Sequence, residues 1–75
     1  MSKRPPPEIR LGLAIRVRRE ALGFSQEGLS FECGLHRTYI GAIERGEKNL
    51  TLRNAIRIAV SLQCLASELM AQAGL

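Results

Sequence analysis

Ser25–Asn49 reads SQEGLSFECGLHRTYIGAIERGEKN, and its spacing decides the fold. Ser25 has a hydroxyl that can accept from the first backbone N–H groups of a new helix. Leu29 and Cys33, four apart, share one face of that helix. Gly34 interrupts the pattern, glycine being the residue that enters a left-handed turn without steric penalty. A second helix follows, in which Leu35, Tyr39, Ile40 and Ile43 form one buried stripe, and Gly46 ends it. Arg37, Thr38, Gly41, Ala42 and Arg45 fall on its other faces.

Two short helices joined by a glycine turn make a helix-turn-helix unit. In such a unit the first turn of the second helix enters a DNA major groove, where side chains meet base edges. Arg37 and Thr38 occupy that turn. Arg37 is suited to bidentate bonds with guanine O6 and N7, and Thr38 can donate, accept or present a methyl. Small residues at 41 and 42 would let the helix come close, Ala42 adding at most an apolar contact. An ordinary helical hairpin with a solvated polar face is the competing reading. His36 is expected at the cap of the helix, a position from which its ring could contact a phosphate.

Length and charge narrow the class. Seventy-five residues make one small domain with a modest core. The net charge of +4 and a pI near 9.8 favour an anionic partner. Lys3, Arg4, Arg10, Arg16, Arg18 and Arg19 crowd the front of the chain, whereas from Ile58 to Leu75 only Glu68 is charged. This asymmetry suggests one nucleic-acid face and one protein face. Cys33, Cys64 and His36 offer no metal-ligand spacing, so no metal or cofactor is expected. Nothing reads as a signal peptide or membrane span, and two free cysteines suit a cytoplasmic location.

The expected architecture is all-α: a flexible tail over 1–7, then one compact five-helix domain over 8–75. Helices are expected at about 8–21, 25–32, 36–45, 52–62 and 66–73. In the first, Leu11, Ile15, Arg18 or Arg19, and Leu22 mark the inner face, and Gly12 weakens the helix by about 1 kcal/mol relative to alanine. In the fourth, capped by Thr51, the expected inner stripe is Leu52, Ala55, Ile56, Ala59 and Leu62. The apolar end of the chain exceeds what one small domain covers. It therefore predicts a homodimer joined through Leu62, Leu65, Leu69 and Met70, the competing reading being that these groups simply close the monomer core.

SQEGLSFECGLHRTYIGAIERGEKNLTL resembles the helix-turn-helix of the phage Cro and cI repressors, the XRE family, over roughly residues 11 to 73. The pieces that carry the likeness are Ser25-Gln26-Glu27, Leu29, Gly34-Leu35, Tyr39-Ile40, Ile43-Glu44-Arg45-Gly46 and Asn49. His36–Ile40 with Ile43–Arg45 and Asn49–Thr51 is especially similar to the controller proteins of restriction–modification systems. The resemblance implies a lambda-repressor-like fold. It implies a phosphate contact from Gln26, with further backbone contacts from Arg45, Lys48 and Asn49. It also implies a DNA contact at Tyr39, part of whose ring the pattern allows to be core. Arg19 and Glu44 are expected as a partly buried ion pair, and the last helices as the dimer contact. Gly28, Ser30, His36, Gln63 and Leu65 depart from the family's usual residues.

The leading function is a sequence-specific regulator on double-stranded DNA, dimeric on a pseudo-palindrome and autoregulatory, as repressor or activator, with RNA polymerase as a further partner. A different class is an antitoxin-like module that neutralises a partner through its apolar C-terminal helices. No nucleophile–base pair suggests an enzyme, and RNA stacking would need more exposed aromatics than Tyr39.

Overall fold

The computed structural model describes residues 4–75; Met1, Ser2 and Lys3, the first part of the expected tail over 1–7, lie outside the described residues. Five helices follow in order: α1 (Pro7–Ala21), α2 (Gln26–Cys33), α3 (Arg37–Glu44), α4 (Leu52–Ser61) and α5 (Ala66–Gln72). Among the described residues there is no strand.

The ends of the helices follow local chemistry. Pro6 and Pro7 start α1, since a proline in the first turn loses no hydrogen bond that a helix would use. Ser25 Oγ accepts from Gly28 N at 2.9 Å and Thr51 Oγ1 from Asn54 N at 3.1 Å, capping α2 and α4. His36 caps α3 through Nδ1, which accepts from Thr38 N at 3.1 Å. Leu65 has no hydroxyl, but its backbone N–H donates to Glu68 Oε1 at 3.0 Å, so half of a capping box survives. Gly34 has φ +74° between α2 and α3, the left-handed turn that the motif requires.

One core joins all five helices: Ile15, Leu29, Cys33, Ile40, Ile43, Ile58, Ala59, Leu62 and Leu69. α1 packs on α3 and α5, α2 on α3 and α4, and α4 on α5. Gly12 lies where α1 meets α3. A Cβ there would collide with the Ile43 carbonyl oxygen and come within 2.7 Å of that of Glu44. The glycine that intrinsic propensity marks as a weakness is what lets two backbones touch.

Three arginines of α1 are committed internally. Arg10 donates to the carbonyls of Ala73 (3.0 Å) and Gly74 (2.6 Å), and Arg18 to those of Leu62 (2.9 Å) and Gln63 (3.0 Å). Spaced eight residues apart on one helix, they hold the C-terminal ends of α5 and α4, where a cation is favoured by the helix dipole. Arg19 pairs with Glu44. Three of the six basic residues at the front of the chain are therefore spent on internal contacts, which reduces the charge that this end can offer a nucleic acid. Arg4 and Arg16 stay exposed.

The α4 stripe is also corrected. Ile58, Ala59 and Leu62 face the core, while Leu52, Ile56 and Val60 are exposed. The helix carries two apolar stripes, and spacing alone cannot say which one the monomer covers. The expected dimer set divides in the same way. Leu62 and Leu69 are fully buried in the monomer, so they cannot form an intermolecular surface; Leu65 and Met70 remain exposed at 65% and 41%.

Candidate nucleic-acid interface

α3 owes its attitude to a buried polar junction beneath it. Arg19 Nε donates to Glu44 Oε2 at 2.6 Å and Nη2 to Glu44 Oε1 at 3.1 Å, while Nη1 donates to the Phe24 carbonyl at 2.7 Å. Both side chains are almost wholly buried, at 9% and 3% exposure. The bond to Glu44 raises the Arg19 pKa, against the opposing effect of burial. Gln26 Nε2 adds a third hydrogen bond, to Glu44 Oε1 at 2.9 Å. Three helices thus converge on one carboxylate.

Above this junction Gln26, Arg37, Thr38, Gly41 and Arg45 line a shallow polar slot with Gly41 as its floor. Arg37 and Thr38 are exposed in the first turn of α3. Arg37 Nη1 lies 3.6 Å from Glu27 Oε2, both side chains remaining mostly in solvent. Arg45 reaches back over the floor, its Nη1 3.1 Å from the place that a Cβ on Gly41 would take. Its Nε and Nη2 donate to Glu47 at 2.8 and 3.1 Å. That bond raises the Arg45 pKa and lowers the Glu47 pKa. Lys48 and Asn49 are exposed in the loop between α3 and α4.

Two residues expected to read bases are placed otherwise. Ala42 is only 7% exposed, so its methyl is spent in the core and cannot meet a base edge. Tyr39 packs its ring against the core, and its phenolic oxygen accepts from Asn54 Nδ2 at 3.1 Å. With that lone pair occupied, its O–H is left as a donor. Gln26 directs its N–H inward to Glu44, where a phosphate contact would direct it outward. Gly41, expected as a small residue for close approach, forms the floor of the slot. Asn54 escaped the sequence reading, being one polar residue whose partner is fifteen positions away.

Among the described residues no group of three His, Cys, Asp or Glu side chains is placed to hold a metal ion, and no helix is long and apolar enough to cross a membrane. Cys33 and Cys64 are free, and burial pushes the Cys64 thiol up.

A glycine-turned helix pair, carrying exposed Arg37 and Thr38 beside a half-buried Gln26 on an otherwise packed five-helix body, defines a helix-turn-helix DNA-binding domain. Comparison with known proteins agrees: residues 15–69 match the helix-turn-helix family HTH_3, and the chain belongs to this XRE-type family. It is 45% identical over 55 residues to control protein C.BamHI of Bacillus amyloliquefaciens, covering 73% of this chain and 68% of that protein. It is 43% identical over 61 residues to control protein C.SmaI of Serratia marcescens, covering 81% and 73%. Among solved structures, the restriction–modification controller protein C.AhdI of Aeromonas hydrophila superposes with a TM-score of 0.80 at 41% identity, covering 81% of this chain and 92% of that one. The clp gene regulator ClgR of C. glutamicum, at 20% identity and a TM-score of 0.92 over 99% of this chain, shares the fold. The family is one of DNA-binding regulators.

Proposed function

We propose that this protein is a restriction–modification controller-like transcription regulator, which binds a pseudo-palindromic operator as a homodimer and acts on its own promoter. The observation that carries the reading is the polar slot. Arg37 and Thr38 are exposed in the first turn of a helix whose opposite face is core, and that helix is held in place by the Arg19–Glu44–Gln26 junction. Arg37 is the base reader, through guanine O6 and N7. His36, Arg45, Lys48, Asn49 and the Tyr39 hydroxyl hold phosphates, setting register without reading sequence. Arg45 is shared with Glu47, so DNA must compete for it.

Dimerisation is supported by apolar side chains that this monomer leaves uncovered. Leu52, Ile56 and Val60, four apart on α4, stand exposed together with Leu65 and Met70. A two-fold pair would set its recognition helices one DNA turn apart, roughly 34 Å. Similarity to control proteins favours activation at low occupancy and repression at high, with contact to RNA polymerase.

Footprinting on DNA from upstream of the gene, across a salt series and with Arg37→Ala alongside, tests the reading. The expected result is a protected pseudo-palindrome, with Arg37→Ala losing about 1–3 kcal/mol and specificity at one position per half-site. Sequence-blind binding with a steep salt slope, indifferent to Arg37→Ala, would turn attention to a protein partner for the apolar surface, as in an antitoxin.

A further inference from the structure

Gln26 is held by one end only. Its Nε2 donates to Glu44 Oε1, and because a carboxylate paired with a guanidinium accepts hydrogen bonds, the amide nitrogen must be the end that faces inward. Oε1 is therefore turned away from the junction. It lies 3.3 Å from the place that a Cβ on Gly41 would occupy, at the floor of the slot. Among the described residues no donor is hydrogen-bonded to it, while Arg37 and Arg45 supply only donors nearby. The slot thus holds one outward carbonyl among guanidinium groups.

We propose that Gln26 is a base-reading residue whose carbonyl oxygen accepts from an exocyclic amino group in the major groove, adenine N6 or cytosine N4. The inference rests on the DNA-reading function above and adds a second letter to it. A phosphate offers only acceptors, so an outward carbonyl is the wrong end of the amide for it. Guanine and thymine likewise present only acceptors on their polar major-groove edges, and those suit Arg37. Donor-bearing Arg37 and acceptor-bearing Gln26 therefore select different bases from one slot. Gly41 makes this possible, since any side chain there would press on Oε1.

The test is selection from a DNA pool with a randomised half-site, using the full chain, Gln26→Ala and the volume-keeping Gln26→Leu, with thermal melts to verify folding. In the wild type, one position per half-site should select adenine or cytosine. Both variants should lose that preference by about 5- to 150-fold at that position, well beyond any change at the other positions that follows from loosening the junction, with the salt slope unchanged. Adenine would mean that the remaining N–H of the amide joins in at N7, and cytosine that the carbonyl acts alone. Uniform weakening over all sequences with a salt slope reduced by about one would assign Gln26 to phosphate and overturn the proposal. Guanine or thymine at the affected position would overturn it as well. A wild type with no base preference anywhere would remove the DNA-reading function itself, a result distinct from either.

Discussion

Glu44 accepts from Arg19 twice and from Gln26 once, in a place that water barely reaches. A buried pair of this kind adds little net stability but fixes orientation, and removing one partner strands the other. Glu44→Ala should therefore destabilise the domain by about 3–5 kcal/mol, more than Arg19→Met with Glu44→Leu together. Urea unfolding of the two variants checks this, and equal stabilities would refute it. Gln63 is under backbone strain: at φ +59° it is the one non-glycine among the described residues in the left-handed region. Its carbonyl is held by Arg18. Gln63→Gly should raise stability by about 1 kcal/mol, because glycine enters that region without the Cβ penalty. A thermal melt at or below the wild-type midpoint would contradict it. Both residues were legible in sequence as departures or partners. The αL turn, by contrast, needed only the position of Gln63, since a helix has to end before the next can start.

At the scale of the elements, α1 is the organiser. One face carries Ile15 into the core, another brings Gly12 against the α3 backbone, and Arg10 and Arg18 tie down the ends of α5 and α4. By helix propensity, Gly12→Ala would stabilise the chain by about 1 kcal/mol. The structure reverses the sign. The added Cβ meets two main-chain carbonyls that cannot swing aside, so α1 and α3 must separate, and the expected loss is about 2 kcal/mol. Chemical denaturation of that single variant settles which effect wins. The existence of all five helices was legible, as periodicity, caps and glycines are local signals. The rotation of α4 was not. Its two stripes, Leu52–Ile56–Val60 and Ala55–Ile58–Ala59–Leu62, obey the same period, and only contact with α2 and α5 chooses between them.

For the whole molecule, the uncovered α4 stripe bears on assembly. Ile56→Lys with Val60→Lys should leave the fold intact, since both sites are already in solvent, and should yield monomers that bind a full operator far more weakly. Leu69→Lys should unfold the chain instead, because that side chain is 1% exposed. Sedimentation equilibrium alongside circular dichroism separates the outcomes. A double variant that stays dimeric would move the interface elsewhere.

Ser25, Gly34, His36, Thr51 and the apolar spacing between them determined the helix pair, the all-α class and the position of Arg37 and Thr38, because each acts within a turn or two of chain. Tertiary structure decided the rest. It turned Ala42 and most of Tyr39 inward, assigned Leu62 and Leu69 to the monomer, committed three α1 arginines to partners far along the chain, and set the amide of Gln26 with its carbonyl outward. These outcomes depend on which helix lies against which. A polar or apolar residue takes its role from the partner it meets, and that partner is absent from its own stretch of sequence.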